Sequence, residues 1–217
     1  VNEKSSQKQE NLFGMKKETF QGVQGELNTL IQIYEKNWID EWYENKKQKE
    51  EYHKLGRKII KDFYSEFSKN PPKVLKINNE FALELPFNLK IGGHTLFGII
   101  DRIDEMENGG GGGRGVKIID YKTGRSKDTL DLDSKEQLLI YQIAAEEVLK
   151  IIPKELVYYY LEDGKKASFL GTEKEKEKLK EKILTEIGEM KTSDFKATPG
   201  WQCGFCDFKD ICDFAER

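Results

Sequence analysis

The chain has 217 residues, 37% hydrophobic, 11% aromatic and 35% charged, with 36 basic against 39 acidic side chains for a net charge of −3. That describes one domain with enough apolar material for a core, and it argues against a simple polycationic clamp for nucleic acid while leaving room for a local basic patch. No run approaches the ~18 apolar residues of a membrane span, no signal peptide opens the chain, and three cysteines make no disulfide framework.

Residues 1–25 are polar, rich in Gln, Lys and Gly, and are expected to form a linker or mobile arm. Leu27, Leu30, Ile31, Tyr34, Trp38 and Trp42 recur at three and four residues, an amphipathic helix. A lysine-rich break over 45–49 leads to a second helix with Tyr52, Leu55, Ile59, Phe63 and Phe67 on one face, ended by Asn70-Pro71-Pro72. The period then becomes two. Phe81, Leu83, Leu85, Phe87, Leu89 and Ile91 mark a half-buried strand, with Pro86 at an edge or bend. Gly92-Gly93 turns into a second strand over 95–103, five glycines at 109–113 form a surface loop, and 116–121 is a third strand.

Ser134-Lys135-Glu136-Gln137 has the form of a capping box, which opens a helix running to about residue 150. A hairpin around Asp163-Gly164, a charged helix over 172–190 and an irregular tail from Pro199 complete the chain. The expected fold is α/β, a mixed central sheet flanked by helices. Its organisation is a linker over 1–25, one domain over 26–198 and a cysteine-bearing tail over 199–217.

The most informative segment is Gly98-Ile99-Ile100-Asp101-Arg102-Ile103-Asp104, followed 19 residues after Asp101 by Asp120-Tyr121-Lys122. Alternation puts Asp120 and Lys122 on one face of their strand, and adjacent strands would set Asp101 beside Asp120. Two close carboxylates repel unless a cation joins them, and hard oxygen ligands suit Mg²⁺ or Mn²⁺. A lysine two residues along suits holding an attacking water or balancing charge on a phosphoryl group. The bland reading is that both runs are solvated strand ends with surface ion pairs. Against it, Asp101 and Asp120 each end an apolar pattern, where a carboxylate needs a reason. Gln137 and Tyr141 share a helix face. They either reach this site, or Gln137 closes the capping box and Tyr141 packs as core.

Glu84-x-x-Phe87, Gly98-Ile99-Ile100-Asp101-Arg102, Ile118-Ile119-Asp120-Tyr121-Lys122-Thr123-Gly124 and Gln137-x-x-x-Tyr141 stand in the order seen in PD-(D/E)XK nucleases. The chain most resembles the RecB-like branch at the C-terminus of UvrD/PcrA-like superfamily 1 DNA helicases, over roughly residues 50–215. The resemblance implies a restriction-endonuclease-like fold and a Mg²⁺- or Mn²⁺-dependent deoxyribonuclease acting on DNA, chiefly single strands. The parent would be a cytoplasmic, nucleoid-associated helicase–nuclease of DNA repair or recombination, without membrane partners. Its ATP-driven motor would lie elsewhere, since no Gly-x-x-x-x-Gly-Lys-Ser/Thr occurs here. It further implies Asp101, Asp120 and the Tyr121 carbonyl as metal ligands and Lys122 as the catalytic lysine. Gln137 and Tyr141 would be supporting catalytic residues, and Glu84 an additional acidic partner.

The tail carries Cys203-x-x-Cys206 and Cys212, a spacing with which thiolates grip one metal centre. In iron–sulfur members of the resembled branch such a trio joins an upstream cysteine to hold a [4Fe–4S] cluster; no fourth cysteine occurs in these 217 residues. The branch also places a histidine in a Gly-x-x-x-His setting, a context that neither His53 nor His94 has. With Val1 at the start, one expectation is a fragment whose upstream part supplies both; the competing one is a cluster-free, degenerate relative. Three rivals stand beside the nuclease reading. One is a non-catalytic DNA-binding or scaffold module of an ATP-dependent DNA helicase. The others are a structural metal module built on the cysteine tail and an RNA nuclease on the same fold.

Overall fold

A computed structural model describes residues 27–106, 115–126, 130 and 132–215; the expected linker over 1–25 and the glycine run over 109–113 lie outside the described residues. Helix α1 (Leu27–Asn37) packs on α2 (Lys46–Lys69) through Tyr34 and Trp38, whose rings meet His53. The expected first helix stops short of Trp42, which adopts φ 70° and is exposed. The lysine-rich stretch is not a break. Asn45 accepts a hydrogen bond from Gln48 N at 2.9 Å, the geometry of an N-cap, so Lys46, Lys47 and Lys49 form the first turn of α2.

After a short hairpin of β1 (Lys76–Ile77) and β2 (Glu80–Phe81) comes a five-stranded sheet. Its strands are β3 (Leu83–Ile91), β4 (His94–Met106), β5 (Gly115–Lys122), β6 (Pro153–Tyr160) and β7 (Lys166–Phe169), in that spatial order. All neighbours are antiparallel except β5 and β6, which run parallel and are therefore joined by a crossover. That crossover carries α3 (Leu132–Ala144), extended by a π-helical turn over Ala145–Leu149 and closed by Lys150 in the left-handed region. Helix α4 (Glu173–Thr192) begins with a true capping box between Thr172 and Glu175. The helix expected to open at Ser134 begins two residues earlier, at Leu132, and the Gln137 side chain is bonded to Lys122 and Tyr141.

Between the sheet and α3 lies the main core, with Leu89, Ile100, Ile103, Ile118, Leu138, Ile143 and Leu156 fully buried. Each contributes about 1.5–3 kcal/mol by leaving water. The other face holds a smaller cluster of Ile119, Val157 and Tyr159 under Phe63 of α2. Interior strand β6 is covered on both sides, so Tyr158, Tyr159 and Tyr160 are all buried and offer no exposed stacking platform. The Gly98 position is fixed by packing: a Cβ there would stand 2.3 Å from the Phe87 ring.

Candidate active site

Strand β4 does not alternate uniformly. Ile100 and Ile103 both join the cluster that includes Leu138 of α3, although only two residues separate them. Arg102, between them, instead reaches Tyr121 on the α2 side. The change of phase falls at Asp101. Opposite it on β3, Glu84 adopts φ 47°, a left-handed conformation that costs a non-glycine residue about 1–2 kcal/mol. The register runs Leu83↔Arg102 and Leu85↔Ile100 with no pair formed between Glu84 and Asp101. On the other side, the β4–β5 ladder ends at Arg102↔Ile119, one step short of pairing Asp101 with Asp120. The backbone is therefore irregular at Asp101, with Glu84 across the ladder on one side and Asp120 on the strand at the other.

Asp101 Oδ2 accepts a hydrogen bond from Tyr121 N at 2.9 Å, which fixes one carboxylate against the other's strand. Asp120 is buried, and its Oδ2 lies 2.7 Å from Lys122 Nζ without an aligned hydrogen bond. Lys122 Nζ donates to Gln137 Oε1 at 2.6 Å, and Gln137 Nε2 donates to Tyr141 OH at 2.8 Å. The same ammonium stands 5.2 Å from the Tyr158 ring centre. Asp120, Lys122, Gln137 and Tyr141 thus form one polar chain running from β5 to α3.

Asp101 repels both Glu84 and Asp120. Burial raises the Asp120 carboxyl above the ordinary range; Lys122 pulls it back and Asp101 pushes it up again. Burial and then Asp101 raise Glu84. Burial lifts the Tyr141 phenol to about 12, with the Gln137 hydrogen bond opposing and Asp120, Asp101 and Glu84 adding to the rise. Mutual repulsion of this kind is what a hard divalent cation relieves, and carboxylate and carbonyl oxygens are its donors. The donor chemistry fits. As arranged, positive charge comes from Lys122, and among the described residues no three Asp, Glu, His or Cys side chains are gathered to hold a metal. The cysteine tail therefore does not fit a cluster by itself. Cys203, Cys206 and Cys212 are free thiols around a short 3₁₀ turn (Trp201–Phe205).

Reading Asp101-Arg102-Ile103-Asp104 as a possible solvated strand end missed Arg102. It is buried with Asp104 on the face opposite the carboxylates, a role legible only in Arg102 standing between Ile100 and Ile103. His53 bonds Glu35 at 2.8 Å within the α1–α2 pair.

No curated protein matches the chain. Among solved structures it is similar to that of SSO0001, with 18% identity over 91% of this chain and 100% of the other, and a TM-score of 0.36. The model of the PD-(D/E)XK nuclease superfamily matches residues 14–213. By that match over nearly its whole length, the chain belongs to the PD-(D/E)XK nuclease superfamily, whose members are generally hydrolytic nucleases using divalent metals.

Proposed function

We propose that the chain hydrolyses phosphodiester bonds of DNA, with Asp101, Asp120 and the Tyr121 carbonyl as ligands for Mg²⁺ or Mn²⁺. The observation that carries this reading is the buried Asp120, charge-compensated by a lysine that a glutamine–tyrosine pair holds in place beside Asp101. When bound, the cation supplies Lewis-acid polarisation of the phosphate and a more acidic water.

The chain's own residues do the positioning. An ammonium has three N–H groups. Lys122 directs one to Gln137 and sits against Asp120, leaving donor capacity for the attacking water or for charge developing on a phosphate oxygen. Water attacks phosphorus, the bond to the leaving oxygen breaks, and the products are a phosphate monoester and a hydroxyl. Gln137 fixes the lysine, and Tyr141 fixes Gln137. Glu84 adds negative charge beside Asp101.

The finer context of this proposal is a RecB-like domain acting on single strands for an ATP-dependent DNA helicase in repair or recombination at the nucleoid. It rests on the order of the motifs. Among the described residues no helix is long and apolar enough to cross a membrane. An iron–sulfur cluster on Cys203, Cys206 and Cys212 would need a fourth cysteine beyond the three in this sequence, and no step is routed through it.

The second reading is a DNA-binding module without turnover, favoured by the absence of a gathered metal-ligand trio among the described residues. Cleavage of end-labelled single-stranded DNA in Mg²⁺ or Mn²⁺ against EDTA separates the two. Metal-dependent cleavage that Lys122→Ala abolishes is expected. DNA binding with no cleavage in any metal would overturn the catalytic reading in favour of the module.

A further inference from the structure

Each proposed acidic ligand is followed by a residue that points through the sheet to the other side: Arg102 after Asp101, and Tyr121 after Asp120. These two partners meet there. Arg102 Nη1 donates to Tyr121 OH, and the guanidinium carbon lies 5.4 Å from the tyrosine ring centre. Asp104, itself buried, holds the other edge of the guanidinium, with Nη2 donating to Oδ2 at 3.0 Å and Nε 3.0 Å from Oδ1. Phe63 and Tyr159 enclose the tyrosine ring, at 6.0 and 5.7 Å between centres.

Tyr121 therefore acts at both of its ends. Its hydroxyl is held by Arg102 behind the sheet, while its main-chain N–H holds Asp101 in front. The result is a closed ring of connections: Asp101, the peptide to Arg102, the Tyr121 side chain, the Tyr121 N–H, and Asp101 again. It sits at the step where the β4–β5 ladder stops, after Arg102↔Ile119. Main-chain pairing does not set the separation of the two strands there, so side chains must.

We infer that Arg102 and Tyr121, braced by Asp104, are positioning residues that set the spacing and orientation of Asp101 and Asp120 for a divalent cation. The inference rests on the metal reading above. A charged planar fork suits the task, since one guanidinium grips the carboxylate along one edge and the phenol with another nitrogen, which an ammonium cannot reproduce. Removing the phenol hydroxyl keeps the ring and its packing. It frees the strand, as loss of a supporting partner frees a metal ligand.

The test is a titration of Mn²⁺ alone into the full chain, read by electron paramagnetic resonance, for the parent, Tyr121→Phe, Arg102→Lys and a remote control, Leu179→Ala. Leu179 is a buried residue of α4, so its truncation destabilises without touching the clasp. Thermal unfolding of each variant runs in parallel. The expected result is Mn²⁺ binding by the parent, weakened roughly tenfold in Tyr121→Phe and in Arg102→Lys and unchanged in Leu179→Ala. Parent-like binding in both clasp variants would overturn this inference and leave the metal reading standing. Equal weakening in Leu179→Ala would overturn it as well, because the effect would then follow stability alone. A parent that binds no Mn²⁺ would overturn the metal reading and the clasp with it.

Discussion

Lys122 Nζ lies 2.7 Å from Asp120 Oδ2, on an aspartate that is 1% exposed, and the lysine side chain itself remains 37% exposed. One partner is thus dry and the other reaches water. The lysine opposes the rise that burial imposes on the carboxyl, while its own head stays accessible to a phosphate. Lys122→Ala should lower Mg²⁺-dependent cleavage about 10²–10³-fold, the usual loss when a charge-stabilising donor is removed. It should also raise the Asp120 carboxyl further, because the group that pulls it down is gone. The pH at which Mn²⁺ binding is half complete should then move upward. Cleavage at the parental rate would remove Lys122 from the site.

Asp120 also sets a trade between stability and activity. Burial holds its folded pKa above the unfolded value, so the fold favours the protonated form, and this contribution is lost as pH rises through the folded pKa. Asp120→Asn should therefore be more heat-stable than the parent at neutral pH, by about 2–4 °C if the gain is near 1 kcal/mol. The difference should shrink in acid, below the ordinary carboxylate range. Cleavage should be lost at every pH. Calorimetry at several pH values checks the sign, and a variant less stable at neutral pH would contradict it.

Strain at Glu84 makes a similar prediction by a different route. A left-handed φ of 47° suits glycine and not glutamate. Glu84→Gly should stabilise the fold by about 1 kcal/mol in urea unfolding while lowering cleavage, because the carboxylate beside Asp101 is removed. Stabilisation with undiminished cleavage would show that the carboxylate serves no purpose at the site.

Tyr141 should be neutral throughout the working range, because its phenol titrates only at about 12. Tyr141→Phe removes the acceptor of the Gln137 amide and nothing ionised. The rate should fall about fivefold to tenfold, the worth of one hydrogen bond. The shape of the pH–rate profile between pH 6 and about 10 should be unchanged. A lost alkaline limb in the variant would mean that the phenol does transfer a proton.

Gly98 is a packing glycine. With 2.3 Å between an added Cβ and the Phe87 ring, Gly98→Ala should cost about 1–3 kcal/mol. Phe87→Leu in the same chain should return part of that loss, a coupling that a double-mutant cycle in denaturant measures. Additive effects of the two substitutions would contradict the contact.

Much of this molecule is legible in its sequence because periodicity is a local property. The period of two announces β3, although Phe81, expected in the same strand, falls in the separate β1–β2 hairpin; Pro71-Pro72 ends α2, and the tight Gly92-Gly93 turn joins β3 to β4. The spacing of Asp120 and Lys122 alone puts both on one face, since strand side chains repeat every two residues. Which strands lie side by side is decided by non-local pairing. Only the tertiary structure brings Asp101 beside Tyr121, makes β5 and β6 parallel neighbours, and places the Gln137 side chain, for which the sequence left both a cap and a site role open, against Lys122. The break in alternation at Asp101 shows locally only as Ile100 and Ile103 standing three apart, and strand pairing alone sets Glu84 opposite it across the ladder. Arg102 shows the same limit. Its composition suggests solvent, and only its burial against Asp104 and Tyr121, contributed by two strands, makes it part of the interior.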